Sequence, residues 1–199
     1  GWTFVKSYSL LSQAAYSGVA EEARHHSMPL YGHIPESVTL EAAVKAGHRS
    51  IEHFGRVTQA CSTEENKMIT ANAEALRSAD PMPALMSVMA GHNKTTLENW
   101  DAERCAAVAS RLARANVAVM PSLMVSDFYL GKDPAPDDPR MGSLPKAVRE
   151  QWSQGDWRRQ QMKPDMLELA PRSVALDWKT FKRMHDAGVT LLAGTDAAY

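Results

Sequence analysis

The chain has 199 residues, 44% of them hydrophobic, and its 22 Lys and Arg against 23 Asp and Glu leave a formal charge of -1. That length and apolar content allow a substantial buried core, which excludes disorder as the default state. The balanced charge lacks the basic excess that nucleic acids and anionic membranes select for, and no apolar run approaches a membrane span, so the expected partner is a small molecule.

In chain order, Phe4-Val5-Lys6-Ser7-Tyr8 reads as a strand, followed by a helix through about Ala23 and a second strand, Pro29-Leu30-Tyr31-Gly32-His33. Leu40, Ala43 and Val44 then mark one face of a helix that Gly47 is placed to stop in a left-handed conformation, and Ser50-Ile51-Glu52-His53 follows as a strand. Ser62 with Glu65 three residues on predicts a capping box opening an inserted helix before Asp101. Cys105, Val108, Ala109 and Leu112 repeat the helical spacing up to Asn116, before the strand Val117-Ala118-Val119-Met120. From Ser126 to Pro171 the sequence is rich in Pro, Asp, Arg and Trp, as in Asp133-Pro134-Ala135-Pro136-Asp137-Asp138-Pro139, and predicts a long loop or lid. Val174, Trp178, Phe181 and His185 mark a last helix, stopped by Gly188 and followed by the strand Val189-Thr190-Leu191-Leu192-Ala193. Five strands alternating with helices predict one α/β domain over 1–199 with a parallel sheet. Cys61 and Cys105 are too few for a disulfide framework or a thiolate metal site and leave the redox compartment open. Because the chain opens inside a strand at Gly1-Trp2-Thr3-Phe4, localisation, cytoplasmic or periplasmic, is open as well.

His33, His53 and Asp196 fall at or just beyond the C-terminal ends of predicted strands, and Lys6 lies near the end of the first. In parallel α/β barrels that end carries the active site, where residues far apart in sequence converge. Imidazole and carboxylate are ligands for zinc or a similar divalent ion, whereas a lysine becomes one only after its neutral amine takes up carbon dioxide to form a carbamate. Tyr8 shares the strand parity of Lys6 and points toward the same side, to touch substrate or to fill a barrel interior.

Phe-Val-Lys6-Ser-Tyr, Tyr-Gly-His33-Ile-Pro, Ala-Gly-His-Arg-Ser-Ile-Glu-His53, Val-Met-Pro-Ser-Leu123 and Leu-Leu-Ala-Gly-Thr-Asp196-Ala, in that order, resemble strands four to eight of the amidohydrolase superfamily, particularly its imidazolonepropionase-like and prolidase-like members. The resemblance implies a partial TIM-like (β/α)8 barrel, with inserted helices, a long loop, and neither strands one to three nor the closing C-terminal segment. It implies that Lys6, as a carbamate, with His33, His53 and Asp196 binds one or two divalent ions, expected to be zinc. Asp196 would also shuttle protons while hydroxide on the metal attacks an amide carbonyl. Dipeptides, N-acyl amino acids and cyclic amides are the substrates considered. The family's His-x-His pair on strand one has no counterpart, so the site is expected to be incomplete and the fragment itself inactive.

Two other outcomes stay open. One is a single-metal deaminase of the same superfamily. The other is a catalytically silent half-barrel that binds or assembles, its ligands being relics. Open sheet edges are expected to pair with the missing barrel half or with a second copy. His25 and His26 read as surface residues at a helix end, His48 and His185 as core or surface, and His92 as ambiguous. Trp152, Trp157, Arg158 and Arg159 read as a solvated helix, or as a lid that would recognise a carboxylate.

Overall fold

The alternation of helix, stop and strand is realised as an α/β fold in a computed structural model, which describes residues 1–132, 137–155, 157–160 and 162–196, with the backbone alone at 127, 128, 157 and 158. Strands β1 (Val5–Ser7), β2 (Leu30–Gly32), β3 (His48–Glu52) and β4 (Ala118–Met120) form one parallel sheet in the order β1-β2-β3-β4. The strand expected at Val189–Ala193 is reduced to one parallel bridge between Val119 and Leu191, flanked by hydrogen bonds from Val119 to Thr190 and from Leu192 to Val119, each 2.9 Å. The crossovers are helical: α1 (Gln13–His25), α2 (Leu40–Lys45), then α3 (Gly55–Ala60), α4 (Glu65–Ala75), α5 (Pro81–Met89), α6 (His92–Asn99) and α7 (Ala102–Arg114).

Local chemistry explains the boundaries. Ser12 caps α1 by accepting from the Ala15 amide, Thr39 caps α2 through Ala42, and Asp101 caps α7 through Arg104. Gly47, Asn116 and Gly188 end their helices at φ of 95°, 51° and 76°, the left-handed conformation that glycine and asparagine adopt most cheaply. Leu30, Ile51 and Val119 face the helices and are buried with Tyr16, Leu40, Val57, Leu112 and Met184. Each such side chain is worth about 1.5–3 kcal/mol in transfer terms. The opposite sheet face, carrying Lys6, Tyr31, Ser50, Glu52 and Met120, is less covered.

Several expectations need correction. Ser62 and Glu65 form no reciprocal capping box. The buried Glu65 carboxylate instead accepts from the Leu40 amide at 3.0 Å and from Arg104 at 2.7 Å, tying α4 to α2 and α7. Four helices, not one, occupy the stretch between His53 and Asp101. Much of 126–171 is also helical: α8 (Val125–Tyr129), a 3-10 turn (Pro139–Ser143), α9 (Lys146–Trp152), α10 (Trp157–Gln160) and the start of α11 (Pro164–Asp186), which carries Pro171 inside it. The Asp133–Pro136 part of the expected loop lies outside the described residues. Cys61 and Cys105 are bonded to each other in the core, joining the end of α3 to α7. His48 is buried, with its ring between the Tyr16 hydroxyl at 3.0 Å and the Gly32 carbonyl at 3.2 Å. Trp178, one of the residues marking the periodic face of the last helix, is exposed, and His185, read as core or surface, lies at the surface.

Gly32 is the tightest point beneath the strand ends. Its φ is 110°, and a Cβ there would stand 2.5 Å from the Ser7 carbonyl oxygen and 2.9 Å from Lys6 Cγ. Backbone on a neighbouring strand cannot yield cheaply. Gly32→Ala should therefore lower stability by about 2–4 kcal/mol in chemical denaturation. A loss below about 0.5 kcal/mol would contradict this packing.

Candidate metal centre

His33, His53 and Asp196 meet at the C-terminal end of the sheet. The rings of His33 and His53 lie edge to face with centroids 4.6 Å apart, and His53 Nε2 is 3.7 Å from Asp196 Oδ2. Lys6 reaches the same place, with its Nζ 2.8 Å from Glu52 Oε2, an oxygen that is also 3.6 Å from His33 Nε2. Tyr8 stacks on His33 at 4.3 Å and is 61% exposed, so its ring forms the open rim of the site.

Glu52 is the residue that sequence reasoning passed over. Neighbours on a strand point to opposite faces, so a Glu-His pair would not be expected to share a site. His53, however, leaves β3 at φ 64°, and this turn brings its ring back beside the Glu52 carboxylate. One ligand atom from each of His33, Glu52 and His53 lies within 4.8 Å of the others. Asp196 has φ 47° and Ser122, just after β4, has φ 48°. Left-handed backbone in residues other than glycine costs about 1–3 kcal/mol and concentrates where side-chain placement matters more than stability.

The surroundings of His33 set its orientation and its charge. Ser9 Oγ lies 2.8 Å from His33 Nδ1, fixing the ring so that Nε2 faces Glu52 and His53. Burial first and the neighbouring His53 second lower the pKa of His33, which favours the neutral ring that coordinates metal. Two imidazoles and a carboxylate, with a second carboxylate beside them, are a donor set suited to zinc or a similar ion. Among the described residues, one other group of this kind occurs, Glu22, His25 and His26, exposed at the end of α1.

A cavity of about 340 Å3 opens from His33, Glu52 and His53 and runs between α3, α6 and α11. Its walls mix apolar Ile34, Met89, Leu97 and Leu176 with polar Arg56, His92 and Asp177. Trp152 and Arg159 are not part of this wall, and Arg159 donates to the Tyr129 carbonyl; the side chains of Trp157 and Arg158 lie outside the described residues.

His92 gives the cavity a pH signature. Its Nδ1 is 3.2 Å from Gln59 Nε2, and burial, then the Arg56 charge, push its pKa from 6.5 down to about 4. The unfolded chain takes up this proton below pH 6.5, while the folded chain resists until about pH 4. Stability from this group is therefore present above pH 6.5 and is lost as pH falls toward 4. His92→Gln keeps an amide beside Gln59 and should flatten that acid-side loss in thermal melts; parallel pH dependence in both proteins would refute the assignment.

No protein-family profile and no curated protein sequence matches the chain. Among solved structures, it superimposes on a chain described as bottromycin amidohydrolase with a TM-score of 0.60 at 17% identity, covering 99% of this chain and 38% of the other. The chain thus spans well under half the length of that neighbour, and at this identity the likeness speaks for the fold.

Proposed function

We propose that this chain carries the metal-binding part of a metal-dependent hydrolase of carbon-nitrogen bonds in amides or small peptides, related to the amidohydrolase superfamily. Its four strands and the Leu191 bridge correspond, in this reading, to five consecutive units of a (β/α)8 barrel. The observation that carries the proposal is the convergence of His33, Glu52 and His53 within 4.8 Å, with Asp196 beside His53, at the strand ends. The neighbour's description as an amidohydrolase agrees with it.

Divalent metal bound there would polarise a substrate carbonyl and acidify a water. The chain's own residues supply the rest. His33 and His53 would hold the cation through their rings, Ser9 fixes the His33 ring, and Asp196, half exposed at the mouth, would take up a proton from water and return it to the leaving nitrogen. Tyr8, stacked on His33 and open to solvent, forms the edge against which substrate rests. A single-metal deaminase is the second reading, favoured by one observation: the Lys6 ammonium is paired with Glu52, which suits a lysine that stays charged.

The test uses the complete natural protein, purified without chelator. At least one equivalent of metal by elemental analysis, and hydrolysis of dipeptides or N-acyl amino acids that chelation removes and zinc restores, is the expected result. Release of ammonia from an amino-substituted ring would favour the deaminase, and a protein that takes up no metal would favour a silent binding module.

A further inference from the structure

Around the cavity, charged groups come in pairs. Lys6 lies 2.8 Å from Glu52, Arg56 is 3.9 Å from Glu36, and His53 stands beside Asp196 at 3.7 Å. Asp177 is the exception. It lines the cavity from α11, its Oδ1 accepts a 2.5 Å hydrogen bond from Thr58 Oγ1, and no ion pair to it is found among the described residues. A half-buried carboxylate with one hydroxyl for company is costly, because its charge has partly left water without meeting an opposite one. Burial accordingly raises its pKa to about 6, the Thr58 hydrogen bond opposing only in part. A purely structural link between α11 and α3 would be made as well by an amide, without that cost.

We infer that Asp177 is the specificity anchor of the cavity, pairing with a cationic amine of the substrate while the amide to be cleaved lies at the His33-His53 end. The apolar side chains on the same cavity wall, Ile34, Met89, Leu97 and Leu176, fit an aliphatic body. A volume of about 340 Å3 suits a ligand of dipeptide size. The substrate class is therefore an aminoacyl amide: a small peptide or amide with a free amino group, and not an N-acylated one. The cleavage part of this inference rests on the proposed hydrolase; the recognition part does not.

The experiment measures binding of L-leucinamide, largely cationic at pH 7, and of neutral N-acetyl-L-leucinamide by calorimetry, using complete protein freed of metal so that neither is consumed. Leucinamide should bind at least about tenfold tighter, as expected for a charge-assisted contact in a buried site. Asp177→Asn should abolish the preference and raise the melting temperature, since it removes an uncompensated half-buried charge and keeps an acceptor for Thr58. Thr58→Val, which cuts the structural hydrogen bond and spares the carboxylate, should keep the preference. Asp177→Ser decides the matter if the asparagine variant does not fold. Equal binding of the two ligands, no binding of leucinamide up to about 10 mM, or a preference that survives in the Asp177 variants would each overturn the assignment, the last by placing the amine at the other carboxylates. Metal uptake and hydrolysis without any preference for the amine would sink this inference alone. A preference without metal uptake would sink the hydrolase alone.

Discussion

His53→Ala in the complete protein should cut metal affinity by more than about 100-fold, beyond what loss of a group supporting a ligand costs, and should lower turnover by at least about a thousand-fold. The expectation follows from its position, since His53 reaches both His33, ring to ring at 4.6 Å, and Asp196, at 3.7 Å. Removing it leaves His33 and Glu52 together, 3.6 Å apart, with Asp196 cut off from them. The backbone complicates the reading, because φ of 64° is also unfavourable for alanine. His53→Gly separates the two effects: it should be more stable than His53→Ala by about 1 kcal/mol while binding metal no better. Should either variant keep its metal and its turnover, the centre lies elsewhere.

The features legible in the sequence were those set by local periodicity and punctuation. The buried stripe Cys105, Val108, Ala109 and Leu112 repeats at helical spacing, and the stops at Gly47, Asn116 and Gly188 need a left-handed residue, so each announces itself within a few positions. The placement of His33, His53 and Asp196 was legible for a related reason, because each follows a segment that reads as a strand after a helix stop. What could not be read depends on partners distant in sequence. Glu65 looked like a capping residue until α2 and α7 brought the Leu40 amide and Arg104 to it. Proline suggested a loop up to Pro171, yet α11 begins at Pro164 and continues through it. Glu52 was hidden by the alternation rule itself, which holds inside β3 and fails one residue later where His53 turns left-handed. Asp177 carried no signal at all; only the packing of α11 against α3 shows that its carboxylate is half-buried with no ion-pair partner among the described residues.

Lys6 decides between the two metal readings, and Lys6→Ala should be the most informative substitution in the site. The lysine is half exposed, with its Nζ 2.8 Å from Glu52 Oε2. That pairing stabilises the ammonium, whereas a carbamate can form only from the neutral amine, so bridging two metal ions requires the Lys6-Glu52 pair to be given up. Once carbamylated, the side chain is an anion with two oxygens, and Glu52 is released toward His33, 3.6 Å away. In the two-metal reading, Lys6→Ala therefore removes at least one metal equivalent and lowers turnover by about 100-fold or more. Short-chain carboxylates at high concentration should partly restore both, since they can place two oxygens on adjacent metal ions. In the single-metal reading the same substitution merely frees Glu52, and metal content stays at one equivalent. Glu52→Gln then becomes the damaging change, because it weakens the His33-Glu52-His53 donor set itself. Metal counts on these two variants, with and without added acetate, separate the readings: full activity and unchanged metal in Lys6→Ala would rule out the bridging lysine and leave the deaminase-like centre.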